Sequence, residues 1–240
     1  MPTAERCRRG AGATAAAVVL LAAALLAACG DAPHSSGQSE MVALAAAVRV
    51  TATGCQTTAT AGAGSFVADG LVLTVAHVVA GSDDVQVVLA DGSTVDATIV
   101  AIDRRTDLAL LHVDAAVTPL PRGTMRRNAQ GVFIAYRDGV ATALSFKALA
   151  FVDIESPGLD ESHGNDHEGA GDSDRRGYEL RADVEPGDSG SVLVTDGVAT
   201  GVVFARSTSS GRRAWAVDIA EAAPLFALAT DEAVDTGPCV

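Results

Sequence analysis

The sequence predicts an all-β protein built from antiparallel barrels, with a short helix at the C-terminus. Three observations carry that prediction. Short apolar runs recur with turn signals at intervals of about 8 to 12 residues. Several of those turns are Asp-Gly pairs, at Asp69-Gly70, Asp91-Gly92, Asp138-Gly139 and Asp196-Gly197, the dipeptide that suits two-residue hairpins. The chain is rich in Ala, Val and Gly and has one Trp, Trp215, so its core is filled by many small side chains. At 240 residues it can form one large β domain or two small ones.

The N-terminus reads as an address rather than as fold. Arg6, Arg8 and Arg9 precede an apolar run from Ala13 to Ala28, interrupted by Thr14. That is a positive n-region followed by an h-region, and it is shorter than the roughly 20 residues of a stable membrane span. The run ends Leu26-Ala27-Ala28-Cys29, which resembles a bacterial lipobox. That resemblance implies a signal peptide over 1–28 and lipidation at Cys29, giving an extracytoplasmic protein anchored in the cell membrane. Secretory cleavage after Ala-Ala beside an unrelated Cys is the other reading. Residues 29–44, with Pro33, Ser35, Ser36, Gly37 and Ser39, are expected as a flexible tether.

Net charge is −13. Removing residues 1–28 takes away three Arg and one Glu, which makes the remainder more acidic still. Such a surface excludes nucleic acid as a partner, because phosphate binding needs Lys/Arg patches. It also excludes docking to anionic lipid through a basic face.

In the first half, Ala43–Val50 begins as a helical turn and becomes a strand ending near Thr53. Strands are then expected at 63–68, 71–75, 85–89, 95–102 and 108–113. His77 follows the third of these, in a short turn closed by Gly81, and the polar turn Asp103-Arg104-Arg105-Thr106 delivers Asp107. Residues 118–127, with Pro119, Pro121 and Gly123, read as a crossover. Strands at 131–136 and 140–154 follow. The segment 155–177 holds Pro157, many acids, His163 and His167, and is expected as an exposed mobile loop. His163-x-x-Asp166-His167 has metal-like spacing, but no strand or helix fixes those ligands, so no metal site is expected. Strands at 178–184, 192–195, 198–206 and 214–219 come next. A terminal helix spans 220–229, with Pro224 restricted to its first turn.

The chemistry centres on Glu185-Pro186-Gly187-Asp188-Ser189-Gly190-Ser191. A serine hydroxyl needs a base to take its proton and donors to hold the oxyanion that forms. Gly187 and Gly190 allow a tight turn that can aim the N–H groups of Gly187 and Ser189 at one point. By itself the stretch also fits an ordinary hairpin turn. Upstream, Thr74-Val75-Ala76-His77 ends one apolar run and Asp107-Leu108-Ala109-Leu110-Leu111 opens another. The order His, Asp, Ser is one in which this triad geometry occurs.

The segments TVAHVV, DLALL and PGDSGS together resemble the three signatures of the trypsin-like (chymotrypsin-fold) serine proteases, over residues 46–226. The resemblance implies two six-stranded antiparallel barrels, about 45–117 and 128–220, with the helix and tail over 220–240. It implies Ser189 as nucleophile, His77 as general base, Asp107 as the carboxylate orienting it, and the Gly187 and Ser189 N–H groups as oxyanion hole. Phe204, Ala205 and Arg206 fall where the family pairs with extended substrate backbone. The implied substrate is a protein or peptide, with no cofactor.

Three positions depart from the family pattern. Ser191 and Val192 stand where a second Gly and a Pro are usual, and Val78 replaces a disulfide cysteine. In digestive relatives the Asp before the serine, here Asp188, pairs with an amine freed by zymogen cleavage. A lipidated N-terminus cannot reach it, so either no such activation occurs or Asp188 has another partner. Asp183 lies where a Lys/Arg preference would be set, and Arg206 near where the family opens its pocket, so a small apolar and a basic preference both fit.

Cys7 leaves with the signal and Cys29 takes lipid, so Cys55 and Cys239 remain. In an oxidising compartment they are expected to pair, two unpaired thiols being the alternative. With GVVFA and a terminal TG-x-C, the chain looks most like the periplasmic stress-type, HtrA-like proteases of actinobacteria, without a PDZ-like segment. A protease-like domain that binds a peptide or partner without turnover is the second functional reading. An esterase is disfavoured, because the serine is not in a Gly-x-Ser-x-Gly elbow. Oligomeric state is left open.

Overall fold

Twelve strands close into two six-stranded antiparallel barrels. The computed structural model describes residues 36–54, 58–155, 174–230 and 232–237, all within one unit, His34–Val240. The signal segment, Cys29, Cys55, Cys239, His163, His167 and residues 156–173 of the expected loop lie outside the described residues.

The first barrel comprises β1 (Ala47–Thr53), β2 (Thr60–Ala68), β3 (Leu71–Thr74), β4 (Asp84–Val88), β5 (Thr94–Asp103) and β6 (Leu108–Val113). β1 pairs with both β2 and β4 and so closes the ring. Period-2 alternation sets which face is inside. In β4, Val85 and Val87 are buried and their neighbours Asp84 and Gln86 exposed. β6 is instead a continuous apolar run from Leu108 to Leu111, all four fully buried. Both of its faces are covered.

The second barrel comprises β7 (Gln130–Arg137), β8 (Val140–Glu155), β9 (Asp174–Ala182), β10 (Val192–Thr195), β11 (Val198–Arg206) and β12 (Arg213–Asp218). The Val132–Val194 pair closes it. Its interior is filled by Phe133, Phe146, Tyr178, Leu180 and Leu193. The connection over 118–127 lies alongside β11 through a bridge between Arg122 and Ala199.

Three expectations change. Residues 36–44, expected as tether, belong to a helix, α1 (Ser36–Ala46). Its Ser39, Ala43 and Ala46 are buried, and the Gly197 N–H donates to Ser39 Oγ at 2.9 Å. The helix is held by tertiary contact rather than by an apolar stripe of its own. β9 begins at Asp174, earlier than Tyr178, because the long β8 continues to template it through Ile154–Arg175 and Glu155–Asp174. The terminal helix is split into a 3₁₀ turn at Ile219–Ala222, capped by Asp218 Oδ1 accepting from the Ala220 N–H at 3.0 Å, and an α-helix at Ala223–Leu228 with Pro224 in its first turn. Proline is tolerated there because that N–H has no intrahelical acceptor.

No helix among the described residues is long and apolar enough to cross a membrane.

Candidate active site

His77 sits in a one-turn helix, α2 (Ala76–Val79), directly after β3. Asp107 opens β6, and three contacts join the two segments. The Asp107 C=O accepts from the Ala76 N–H at 3.1 Å. Its Oδ1 accepts from the His77 N–H at 2.9 Å, and its Oδ2 lies 2.7 Å from the His77 Nδ1. The carboxylate therefore fixes both backbone and ring of His77 and engages Nδ1 rather than Nε2, on a side chain 41% exposed.

Asp107 adopts φ 57°, a left-handed conformation that Asp tolerates better than most residues. The preceding turn enforces it. Asp103 Oδ1 accepts from the Arg105 N–H at 2.9 Å. Arg175, at the start of β9, donates from Nη1 to the Thr106 C=O. Arg175 is 4% exposed, and its guanidinium lies 4.3 Å over the ring of Phe204. Its Nε has no partner among the described residues. Burial pulls the guanidinium below its ordinary pKa, against the opposing fields of Asp107 and Asp103.

Ser189 lies in the turn between β9 and β10. Its C=O accepts from the Ala63 N–H of β2 at 2.8 Å, and the Gly190 N–H donates to Val203 of β11 at 2.8 Å, so the turn is tied to both barrels. Gly190 has φ 92°, and a Cβ there would overlap the Ala63 carbonyl and the Thr74 hydroxyl. Only glycine lets the loop seat this closely on the strand that leads to His77. Gly187 has φ 97°, and the N–H groups of Gly187 and Ser189 have no acceptor among the described residues. Ser189 Oγ and His77 Nε2 are not hydrogen-bonded to each other in this arrangement.

Asp188 is fully buried, and its partner is Arg137, the last residue of β7. Nη1 reaches Oδ1 at 2.5 Å and Nη2 reaches Oδ2 at 2.7 Å. The Glu185 N–H also donates to Oδ2 at 2.8 Å. The hydrogen bonds that Arg137 donates to Asp188 raise the guanidinium pKa above its ordinary value. Ser191 is buried too, and its hydroxyl donates to the Ile134 C=O at 2.7 Å. The departure from the usual Gly thus adds a tie from the turn to β7.

Phe204 stands at a bulge where the β11–β12 register shifts between Val203 and Ala205. Phe204 and Ala205 are half-buried and Arg206 is exposed. Asp183 is exposed and offers its C=O to Arg137 Nη2 at 3.3 Å. Arg137 and Arg175 carry no motif signature and were not found from the sequence. Among the described residues, no group of three or more His, Cys, Asp or Glu could hold a metal.

The trypsin-like peptidase domain matches residues 62–203, more than half of the chain. The chain belongs to the trypsin-like peptidases. Serine protease Rv3671c of Mycobacterium tuberculosis is 30% identical to this trypsin-like peptidase over 188 residues, 75% of the chain and 45% of that protein. Serine protease HTRA1B of Danio rerio is 33% identical over 138 residues, 56% of the chain and 28% of that protein. The chain therefore spans less than half the length of these relatives. The active form of the Rv3671c protease superposes with a TM-score of 0.73 at 29% identity, covering 84% of this chain and 88% of that one. The inactive form gives 0.64 at 27% identity, covering 79% and 91%.

Proposed function

We propose that this trypsin-like peptidase is a membrane-anchored, extracytoplasmic serine endopeptidase. Ser189 attacks the scissile carbonyl. His77 takes its proton through Nε2 and later returns it to the leaving amine, and Asp107 holds the imidazole in the tautomer that does this. The N–H groups of Gly187 and Ser189 receive the oxyanion, each worth roughly 3 kcal/mol in comparable sites. Phe204, Ala205 and Arg206 present the strand edge to extended substrate. The observation that carries this reading is the double hold of Asp107 on His77, at 2.9 and 2.7 Å, with the two N–H groups beside Ser189 left without acceptors.

Zymogen cleavage is not needed in this reading, because Arg137 supplies the cation that a freed amine would otherwise bring to Asp188. The higher TM-score against the active form of the Rv3671c protease than against its inactive form favours the same view. Anchoring through Cys29 rests on the leader sequence. A Cys55–Cys239 disulfide is supported by the residues beside each cysteine. The Thr53 C=O accepts from the Asp83 N–H at 2.8 Å, and Thr236 Oγ1 accepts from the Gly81 N–H at 3.1 Å. Both flanks meet the turn at 81–83.

The lack of a hydrogen bond between Ser189 Oγ and His77 Nε2 favours a second reading, a domain that binds peptide without turnover. Hydrogen bonds of this kind tighten in many enzymes only with substrate bound. Fluorophosphonate labelling of the purified full chain separates the two. Labelling at Ser189, lost in Ser189→Ala with the fold retained, establishes the nucleophile. Absence of labelling leaves the binding domain, and unchanged labelling of Ser189→Ala removes the site assignment.

A further inference from the structure

Cross-strand register lines up Gln130 of β7, Lys147 of β8, Arg181 of β9 and Arg213 of β12 in one row. Gln130 is opposite Lys147, Lys147 opposite Arg181, and Arg181 opposite Arg213. All four are exposed, on the same face of the second barrel. Neighbouring strands lie about 4.8 Å apart, and like charges placed directly opposite destabilise a sheet. A chain with 30 acidic and 17 basic residues could place carboxylates between these cations. It places one there: Glu179 Oε1 accepts from Arg213 Nε at 2.8 Å. Lys147 and Arg181 have no carboxylate within ion-pair distance among the described residues.

The row borders a cleft of about 580 Å³ that also holds Arg212. Its apolar lining includes Val132, Leu144 and Phe146. Asp183 and Asp196 also line it, two carboxylates against the three cations Lys147, Arg181 and Arg212. The cleft is a positive concavity on an acidic protein, and the mutual repulsion of its cations is relieved by an anion that enters it.

We propose that this cleft binds an acidic polypeptide segment. Asp or Glu carboxylates spaced along an extended chain meet Lys147, Arg181 and Arg212 one by one, while intervening side chains lie on the half-buried Val132 and Leu144. A concave, partly apolar site suits a peptide better than the flat surface of a bilayer. These two carboxylates oppose a compact multivalent anion such as phosphate more than spaced single charges. The inference does not depend on Ser189 being a nucleophile.

The test is fluorescence anisotropy with the purified full chain carrying Ser189→Ala, which removes cleavage as a complication. The probe is a fluorescein-labelled ten-residue peptide alternating Glu and Ala. Saturable binding is expected to weaken at least tenfold when Gln replaces Glu, and at least tenfold again for glutamate peptide in the double variant Lys147→Gln/Arg181→Gln. The melting temperature of that variant is expected to hold or rise, because a repulsive row has been relieved. Equal binding of the Gln peptide, unchanged binding by the double variant, or a lowered melting temperature would each overturn the proposal. So would binding confined to vesicles of phosphatidylglycerol or to inorganic phosphate.

Discussion

Arg137 and Asp188 form a two-pronged ion pair beneath the Ser189 turn, at 2.5 and 2.7 Å, with the carboxylate wholly out of solvent. Removing one member of a buried pair leaves the other charge uncompensated, which costs about 3–5 kcal/mol. Arg137→Ala is therefore expected to lower stability by about 3 kcal/mol, roughly 10 °C in Tm for a domain of this size. Fluorophosphonate labelling should fall with it, because the Gly187 and Ser189 N–H groups lose their platform. Arg137→Lys keeps the charge without the fork and should recover only part of each. Normal labelling of Arg137→Ala would show that the turn does not depend on this pair.

Ser191 makes the smaller tie. Its hydroxyl satisfies the Ile134 carbonyl at 2.7 Å, and a hydrogen bond of this kind contributes about 1 kcal/mol net. Ser191→Ala should cost about that much in denaturant unfolding and leave labelling at Ser189 intact. Lost labelling with unchanged stability would mean that the hydroxyl serves the chemistry rather than the loop.

Both tyrosines of the chain are held above the ordinary phenol pKa of about 10. Burial is the main cause at Tyr136 and at Tyr178, and the neighbouring Asp218 adds to it at Tyr178. A raised folded pKa means that the folded state binds the proton more tightly than the unfolded state. Stability from this source is complete below about pH 10 and declines above it. Absorbance at 295 nm should show no phenolate at pH 10–11 while the protein is folded, and should rise together with unfolding at higher pH. A reversible rise near pH 10 in the folded protein would contradict the burial of these rings.

Asp107→Asn tests the carboxylate itself. Asn also tolerates the φ of 57° found there, so the backbone should persist. Its amide would direct an N–H at His77 Nδ1 and force the wrong tautomer. In the proposed mechanism kcat falls by about four orders of magnitude, with little change in Tm. A mild loss would mean that His77 is not oriented through this contact.

The residues of the proposed triad were legible because each stands in a local pattern: an apolar run ending in His77, another opened by Asp107, and a glycine-flanked Ser189. Both barrels were legible for the same reason, since alternation and Asp-Gly turns are local. Residues 36–44 were misread because α1 owes its helix to burial against the second barrel and not to periodicity. Arg137 and Arg175 were invisible because their roles lie in partners 51 and 69 residues away. Nothing beside Arg175 distinguishes it from Arg176, which faces solvent and pairs with Glu221 at 3.1 Å.

Arg175 offers a choice that kinetics can settle. It holds the Thr106 carbonyl, one residue before Asp107, and it lies under Phe204 on the candidate substrate strand. Arg175→Met keeps volume and removes the charge and the fork. Stability should change little, because the variant trades an unsatisfied buried Nε for an unpaired Thr106 carbonyl, each costing about 1–3 kcal/mol. If Arg175 acts by positioning Asp107, kcat falls about tenfold or more at constant KM, because the His77–Asp107 geometry matters most in the transition state. If it acts by stiffening the strand that receives substrate, KM rises and kcat is spared. The 69-residue reach to Thr106 and the strained φ of Asp107 favour the first outcome. A variant with both constants unchanged would reduce Arg175 to a packing residue.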